Sequence, residues 1–185
     1  EALAQRYRNI IANAPALYQM QLIDENGNEV IRVTSDNGST ELASIDSLQN
    51  RRYETYFAEA ANLPEGERYI SPVRLNTRNG VPIDPPQPLT IYALPVFTED
   101  GDRWGVLTAW IYTAAMLESI GNVENPIDAQ LWILNRDGYW MLGPERGMEW
   151  GHEFPERAQY SLPTQDPGLW QEVLNNDELG FAHEG

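Results

Sequence analysis

Cysteine is absent from this chain of 185 residues, which removes disulfide scaffolds, thiolate metal sites and cysteine nucleophiles together. Histidine is nearly absent, with only His152 and His183. The stretch His152-Glu153-Phe154-Pro155-Glu156 begins like a zinc-protease motif, but Glu156 stands where the second histidine belongs and Pro155 breaks the required helix. No metal site is expected. Basic charge is scarce too: 12 Lys+Arg against 28 Asp+Glu leave a net charge of −16. Such a surface repels phosphate backbones and anionic headgroups, so no nucleic-acid partner is expected. The acidic excess itself reads as a solvated surface.

Long apolar runs are missing as well. None approaches the roughly 20 residues of a membrane span. Residue 1 opens directly into a mixed helix with no leader, so a secreted or periplasmic origin puts any targeting or anchoring segment outside this chain. There is no glycine-rich phosphate loop, no Gly-x-Gly-x-x-Gly and no Gly-x-Ser-x-Gly elbow. Carboxylate pairs such as Glu25/Glu29 and Glu99/Asp102 flank turns, and with 28 acids such pairs arise by chance. The Asp24–Glu29 and Asp100–Asp102 turns lack the spaced ligands of a calcium loop. Neither an enzyme nor a cofactor is expected.

What is present is core material: 42% hydrophobic and 10% aromatic residues, enough for one large or two small domains. Leu3, Tyr7, Ile10, Ala14 and Leu17 alternate spacings of four and three, an amphipathic helix seam loosened at Pro15. That seam fits a helix packed on its own domain and, equally, a dimer seam continuing from a membrane anchor. Strands over Tyr18–Asp24 and Glu29–Ser35 flank Glu25-Asn26-Gly27-Asn28, a hairpin signal. A polar stretch with Asn37-Gly38 follows.

A helix is expected over Leu48–Leu63, with Tyr53, Tyr56, Phe57, Ala60 and Leu63 on one stripe, stopped by Pro64 and Gly66. Then come a strand Tyr69–Asn76, a proline-rich loop Val81–Pro88, a hairpin Thr90–Phe97/Arg103–Tyr112 and a short helix Ala114–Ile120. After a pause at Gly121–Pro126 a strand pair restarts, Ala129–Asn135 and Tyr139–Leu142, and a helix near Pro167–Asn175 closes the pattern. Consecutive antiparallel strands with helices on one side indicate an α+β fold.

Four stretches carry a resemblance. Tyr18–Gly27 followed by Glu29–Val33 reads strand, Asp-x-x-Gly, strand. Leu48-Gln49-Asn50, then Tyr56-Phe57-x-Glu59-Ala60, leads into Tyr69-Ile70-Ser71-Pro72. Pro88–Phe97 closes on Gly101 and Gly105-Val106-Leu107. Leu134–Trp140 runs on to Glu149-Trp150-Gly151 and Phe154-Pro155. In order and spacing these resemble the double Cache family of PAS-like sensor domains, found outside the membrane in histidine kinases, diguanylate cyclases and chemoreceptors.

The resemblance implies an N-terminal amphipathic helix (1–17), a membrane-distal PAS-like unit (18–121) with an antiparallel sheet under a helical lid, and an incomplete second PAS-like unit (122–185). It implies a periplasmic or extracellular domain of an inner-membrane protein, touching the membrane only through flanking segments. A small-molecule ligand and a homodimer through the N-terminal helix are the implied partners. The matching ligand-binding positions are Tyr53, Tyr56, Phe57, Tyr69, Ser71, Arg74, Tyr92 and Trp110. On residue type alone Tyr53, Tyr56 and Phe57 serve either as core or as pocket lining, Arg74 faces solvent or supplies the pocket's positive charge, and Trp110 belongs to core or pocket.

Two departures bear on the ligand. The amino-acid-binding branch carries an Arg two positions before its aromatic pair, where this chain has Glu54, and an Asp at the end of the strand after Gly-Val, where Trp110 stands. Loss of both charge-assisted anchors disfavours amino acids and simple dicarboxylates. Two alternatives remain from other classes: a secreted carbohydrate-binding module, which exposed planar aromatics on a sheet face would favour, and a docking surface for a periplasmic binding protein.

Overall fold

A computed structural model describes residues 2–36, 38–78, 80–121, 131–145 and 147–175. The chain divides into two compact units, Glu1–Ala114 and Ala115–Gly185.

The first unit opens with α1 (Ala2–Ala12), which buries Ala4, Tyr7 and Ile11. Its sheet is built from β1 (Leu17–Asp24), β2 (Glu29–Asp36), β3 (Ser39–Leu42), β4 (Tyr69–Ile70), β5 (Arg74–Leu75), β8 (Pro88–Phe97) and β9 (Arg103–Tyr112). The strand order is β3-β2-β1-β9-β8-β4, with β5 also on β8, and every pairing is antiparallel. The short pair β6 (Thr77–Arg78) and β7 (Val81–Pro82) forms its own ladder.

Period-2 alternation divides the sheet's apolar residues between two faces. Met20, Leu22, Val33, Leu107, Ala109 and Ile111 face α1, where Tyr7, Ile11 and Leu17 join them. Ile23, Ile91, Ala93 and Val106 face the other way, onto Tyr56, Phe57 and Ala60 of α2 (Thr55–Ala60). The helices therefore cover both faces of the sheet, not one side as the sequence pattern implied.

The helix expected over Leu48–Leu63 shrinks to the six residues of α2. Residues 49–52 are instead drawn out along the β1–β2 hairpin. Glu29 N–H donates to Gln49 O (3.0 Å) and Arg51 N–H to Gly27 O (2.6 Å). Asn50 Nδ2 donates to Asn26 O (3.1 Å) and to Asn28 Oδ1 (2.7 Å). These bonds satisfy the backbone without a helix. Gly27 makes the approach possible: its φ is +87°, and a Cβ there would meet the Arg52 backbone at 2.7 Å. At the far end of α2, Arg103 Nη2 donates to Leu63 O (3.0 Å) while its guanidinium lies 4.9 Å from the Phe97 ring.

Other differences are local. The strand expected over Tyr69–Asn76 splits into β4 and β5 around Pro72, which cannot donate to a ladder. The polar stretch after residue 37 holds β3, paired with β2.

In the second unit, α3 (Ala114–Gly121) precedes the hairpin of β10 (Ile133–Leu134) and β11 (Trp140–Leu142), followed by α4 (Leu162–Gln165) and α5 (Pro167–Asn175). The first two residues of the strand expected over Ala129–Asn135 lie outside the described residues. Trp140, Trp150 and Leu162 are buried, and Trp140 Nε1 donates to Gln165 Oε1 (2.8 Å).

Candidate functional site

A cavity of about 210 Å³ opens in the first unit, lined by Tyr18, Gln19, Arg51, Glu54, Arg74, Leu75, Asn76, Thr77 and Trp110. Four pieces of chain build it. The floor belongs to β1 and β9. There Leu17 pairs with Ile111 and Gln19 with Trp110, so Tyr18 is an extra residue in a bulge. A bulge breaks the alternation and re-aims a side chain. Leu17 stays in the α1-facing core, while Tyr18 reaches the cavity with its ring 5.1 Å from that of Tyr112. Arg51 and Glu54 come from the segment held along the hairpin. Arg74 to Thr77 form the remaining wall, fixed through Asn76, whose Nδ2 donates to Gln87 Oε1 (3.0 Å) and whose N–H donates to Gln87 O (2.8 Å).

Beneath this wall runs a continuous polar chain. Trp110 Nε1 donates to Thr108 Oγ1 (3.3 Å), Thr108 Oγ1 to Gln21 Oε1 (3.2 Å), and Gln21 Nε2 to Glu29 Oε1 (3.1 Å). The Glu29 carboxylate, 0% exposed, also receives Arg51 Nε and Arg32 Nη1, each at 2.7 Å, and the Gln49 N–H at 3.0 Å. Burial by itself would lower the Arg51 pKa, but the Glu29 hydrogen bond, together with the charges around it, outweighs that and leaves it raised. Arg51 also lies 3.7 Å from Glu54. Arg74 makes no ion pair among the described residues and is the cavity's uncommitted cation.

The predicted site residues scatter. Arg74 and Trp110 line the cavity together. Tyr56 stands behind its wall, 3% exposed, with its ring edge-on to Trp110 at 5.7 Å. The Tyr56 hydroxyl is buried with no hydrogen-bond partner among the described residues. Its pKa is pushed well up by desolvation, with Arg51, Glu54, Glu29 and Arg74 all near enough to act on it. Phe57 and Tyr69 pack in the α2-facing core. The Ser71 hydroxyl accepts from Ile91 N–H (2.9 Å) and so joins the sheet edge. Tyr92 pairs with Ala109 on the α1-facing side, away from the cavity, and Tyr53 is 96% exposed.

Sequence reasoning missed Tyr18, Gln19, Arg51, Glu54 as a lining residue, Leu75, Asn76 and Thr77. One signal was available: Arg51-Arg52 is the only adjacent basic pair in an acid-rich chain. Position 54 brings a carboxylate to this cavity, and positions 51 and 74 bring guanidiniums. Among the described residues no cluster of metal-ligating side chains occurs and no helix is long and apolar enough to cross a membrane.

Comparison with known proteins follows the fold. A family model described as bacterial histidine kinase, sensor domain, matches residues 1–185. No curated protein matches. Among solved structures, the domain of a sensory box/GGDEF family protein from Vibrio parahaemolyticus is similar at TM-score 0.79 and 19% identity, covering 100% of this chain and 68% of that one. The extracellular domain of the histidine kinase vpHK1S-Z8 gives TM-score 0.79 and 20% identity, covering 100% and 65%. The ligand-binding domain of the Campylobacter jejuni chemoreceptor Tlp3, in complex with L-valine, gives TM-score 0.50 and 16% identity, covering 66% and 44%. The chain thus spans about two thirds of the length of the first two. A seven-stranded antiparallel sheet between α1 and α2, a Cache-like arrangement shared with extracellular sensor domains, and a match along its whole length place this chain in the bacterial histidine kinase sensor domain family.

Proposed function

We propose that the first unit binds a small organic anion in the Arg74–Trp110 cavity and that occupancy is passed to an output domain across the membrane. The observation that carries this reading is Arg74: a guanidinium on the wall of a polar cavity, with no ion pair among the described residues, in a protein whose net charge is −16. A partnerless cation gains a charge-assisted hydrogen bond when an anion arrives. The ring of Trp110 supplies an apolar face beside it, as small-molecule sites commonly do. A route outward is built into β1. Tyr18 and Gln19 border the cavity, and the adjoining Leu17 packs with Tyr7 and Ile11 of α1. A ligand that binds one arrangement of this corner better than another shifts the population of α1 positions. On this reading the domain lies outside the cytoplasm, flanking segments anchor it, and α1 supplies the homodimer seam.

The carbohydrate-module alternative gains little support, since Trp104 at 36% is the most exposed aromatic on the described sheet. Planar sugar-stacking platforms need more open faces.

The test is a thermal-shift screen of the purified domain against organic anions, neutral sugars and cations. At a ligand concentration near 100 times Kd, stabilisation of about 2.7 kcal/mol raises Tm by roughly 5–10 °C. Hits confined to anions, and abolished by Arg74→Ala, are expected. Hits among neutral sugars, or anion shifts that survive Arg74→Ala, overturn the assignment. A silent screen combined with capture of a periplasmic binding protein replaces it with the docking alternative.

A further inference from the structure

Glu29 is the only charged residue among the buried ones described in this chain. It sits at the start of β2, where a strand leaving a hairpin has no need of a carboxylate. Its two oxygens accept four hydrogen bonds: Gln21 Nε2 and Arg51 Nε on Oε1, Arg32 Nη1 and the Gln49 N–H on Oε2. The Glu29 carboxylate is thus fully bonded to two guanidiniums, and the second positive charge is met only by the half-exposed Glu54, 3.7 Å from Arg51 at the cavity. Burying such a group gains little stability over an apolar residue of the same size, because desolvation consumes most of the attraction. Its use must be sought in geometry. The Nε of Arg51 is held inside by Glu29, which leaves the terminal nitrogens of that planar fork directed by a fixed anchor. Arg51 lines the cavity, and the same carboxylate is tied through Gln21 and Thr108 to the Trp110 indole on another wall.

We propose that Glu29 is a positioning residue of the binding site: it never touches ligand, but it sets Arg51 as the second cationic contact beside Arg74 and links that contact to Trp110. This deepens the anion-binding reading and rests on it. A purely structural Glu29 would hold the 49–52 segment on the hairpin and affect all ligands alike. A positioning Glu29 affects charged ligands selectively.

The probes are therefore benzoate and its neutral analogue benzamide, titrated by NMR into the wild-type domain and into Glu29→Gln. The substitution keeps the size of the side chain but puts an amide in place of an oxygen that receives two donors. The Nε–Hε resonance of Arg51 should lose its protection from exchange. Benzoate affinity should fall on the order of tenfold while benzamide changes less than about twofold. Arg51→Lys, which retains charge and loses the fork, should reproduce the selective loss and serves if Glu29→Gln does not fold. Equal losses for both probes, unchanged benzoate binding, or an Arg51 Nε–Hε signal still protected without Glu29 each overturn the proposal. A wild-type domain indifferent to benzoate while other ligand classes bind overturns the anion reading itself, and the inference with it.

Discussion

Gly27→Ala puts the anchoring of the cavity wall to a quantitative test. Two costs are separable there. The first is conformational: φ is +87°, and a side chain in the left-handed region costs roughly 1–2 kcal/mol. The second is steric, because the added Cβ would lie 2.7 Å from the backbone of Arg52, and overfilling a packed contact costs about 1–3 kcal/mol. The segment can escape the overlap by lifting. It then gives up the Arg51 N–H to Gly27 O bond, the Glu29 N–H to Gln49 O bond and the Asn50 bridge, each contributing roughly 0.5–1.5 kcal/mol, or about 1.5–4.5 kcal/mol together, so the cheaper route keeps the steric part at or below about 3 kcal/mol. Gly101→Ala isolates the first cost, since φ there is +86° and nothing lies within 4 Å of the new Cβ. Gly27→Ala should therefore lose about 2–5 kcal/mol and Gly101→Ala about 1–2 kcal/mol. Urea denaturation reads both as shifts in midpoint at constant m. Amide exchange adds a local readout: Arg51 should lose protection in Gly27→Ala while the β8–β9 ladder keeps its own. Equal midpoints for the two alanine variants would refute the close approach of the two segments.

Tyr56→Phe removes a buried hydroxyl with no partner among the described residues, so stability should hold or rise by about 1 kcal/mol, read by thermal melts. Because the folded chain keeps the Tyr56 proton that the unfolded chain gives up near its ordinary 10.0, stability present below that pH is lost as pH climbs past it. Tyr7 is raised by burial in the same direction, so melts through the alkaline range should show a shallower decline in Tyr56→Phe, not a flat one. Arg74→Ala should leave stability within about 0.5 kcal/mol in the same melts, since the side chain is exposed and makes no ion pair among the described residues. Tyr92→Ala, on the opposite sheet face, should leave anion affinity in isothermal titration unchanged.

The fold was legible where local signals agree with tertiary contacts. Tyr18–Asp24, Arg103–Tyr112 and the Pro167–Asn175 helix follow from alternation, turn glycines and helical spacing, and the structure has them within a residue or so. The overlong helix at Leu48–Leu63 failed for an identifiable reason. Its stripe of aromatics is genuine, and Tyr56, Phe57 and Ala60 are buried as that stripe requires. Yet no local rule announces that Asn50 and Arg51 will find hydrogen-bond partners on a hairpin more than twenty residues earlier. Long-range backbone pairing overrode a weak local propensity.

The cavity was harder to read because its chemistry depends on residues whose type is commonplace. Arg74 and Trp110 came to notice through the family resemblance, Arg74 also for its small and apolar neighbours, but Glu29 looks like any acid beside a turn in a chain with 28 of them. Its burial follows only from pairing: Gln21 stands opposite Arg32 across β1 and β2, and opposite Thr108 across β1 and β9. These three strands therefore present polar groups in line on the α2-facing side of the sheet, which elsewhere presents Ile23, Val106, Ile91 and Ala93. A polar row inside an apolar face has to be closed by hydrogen bonds or left at high cost. Glu29 closes it at one end and Trp110, which lines the cavity, at the other. The short helix thus has a consequence for the site: had residues 48–54 joined it, Arg51 and Glu54 would be placed by helical spacing, not by the hairpin, and the row would end without Arg51 to connect it to the cavity.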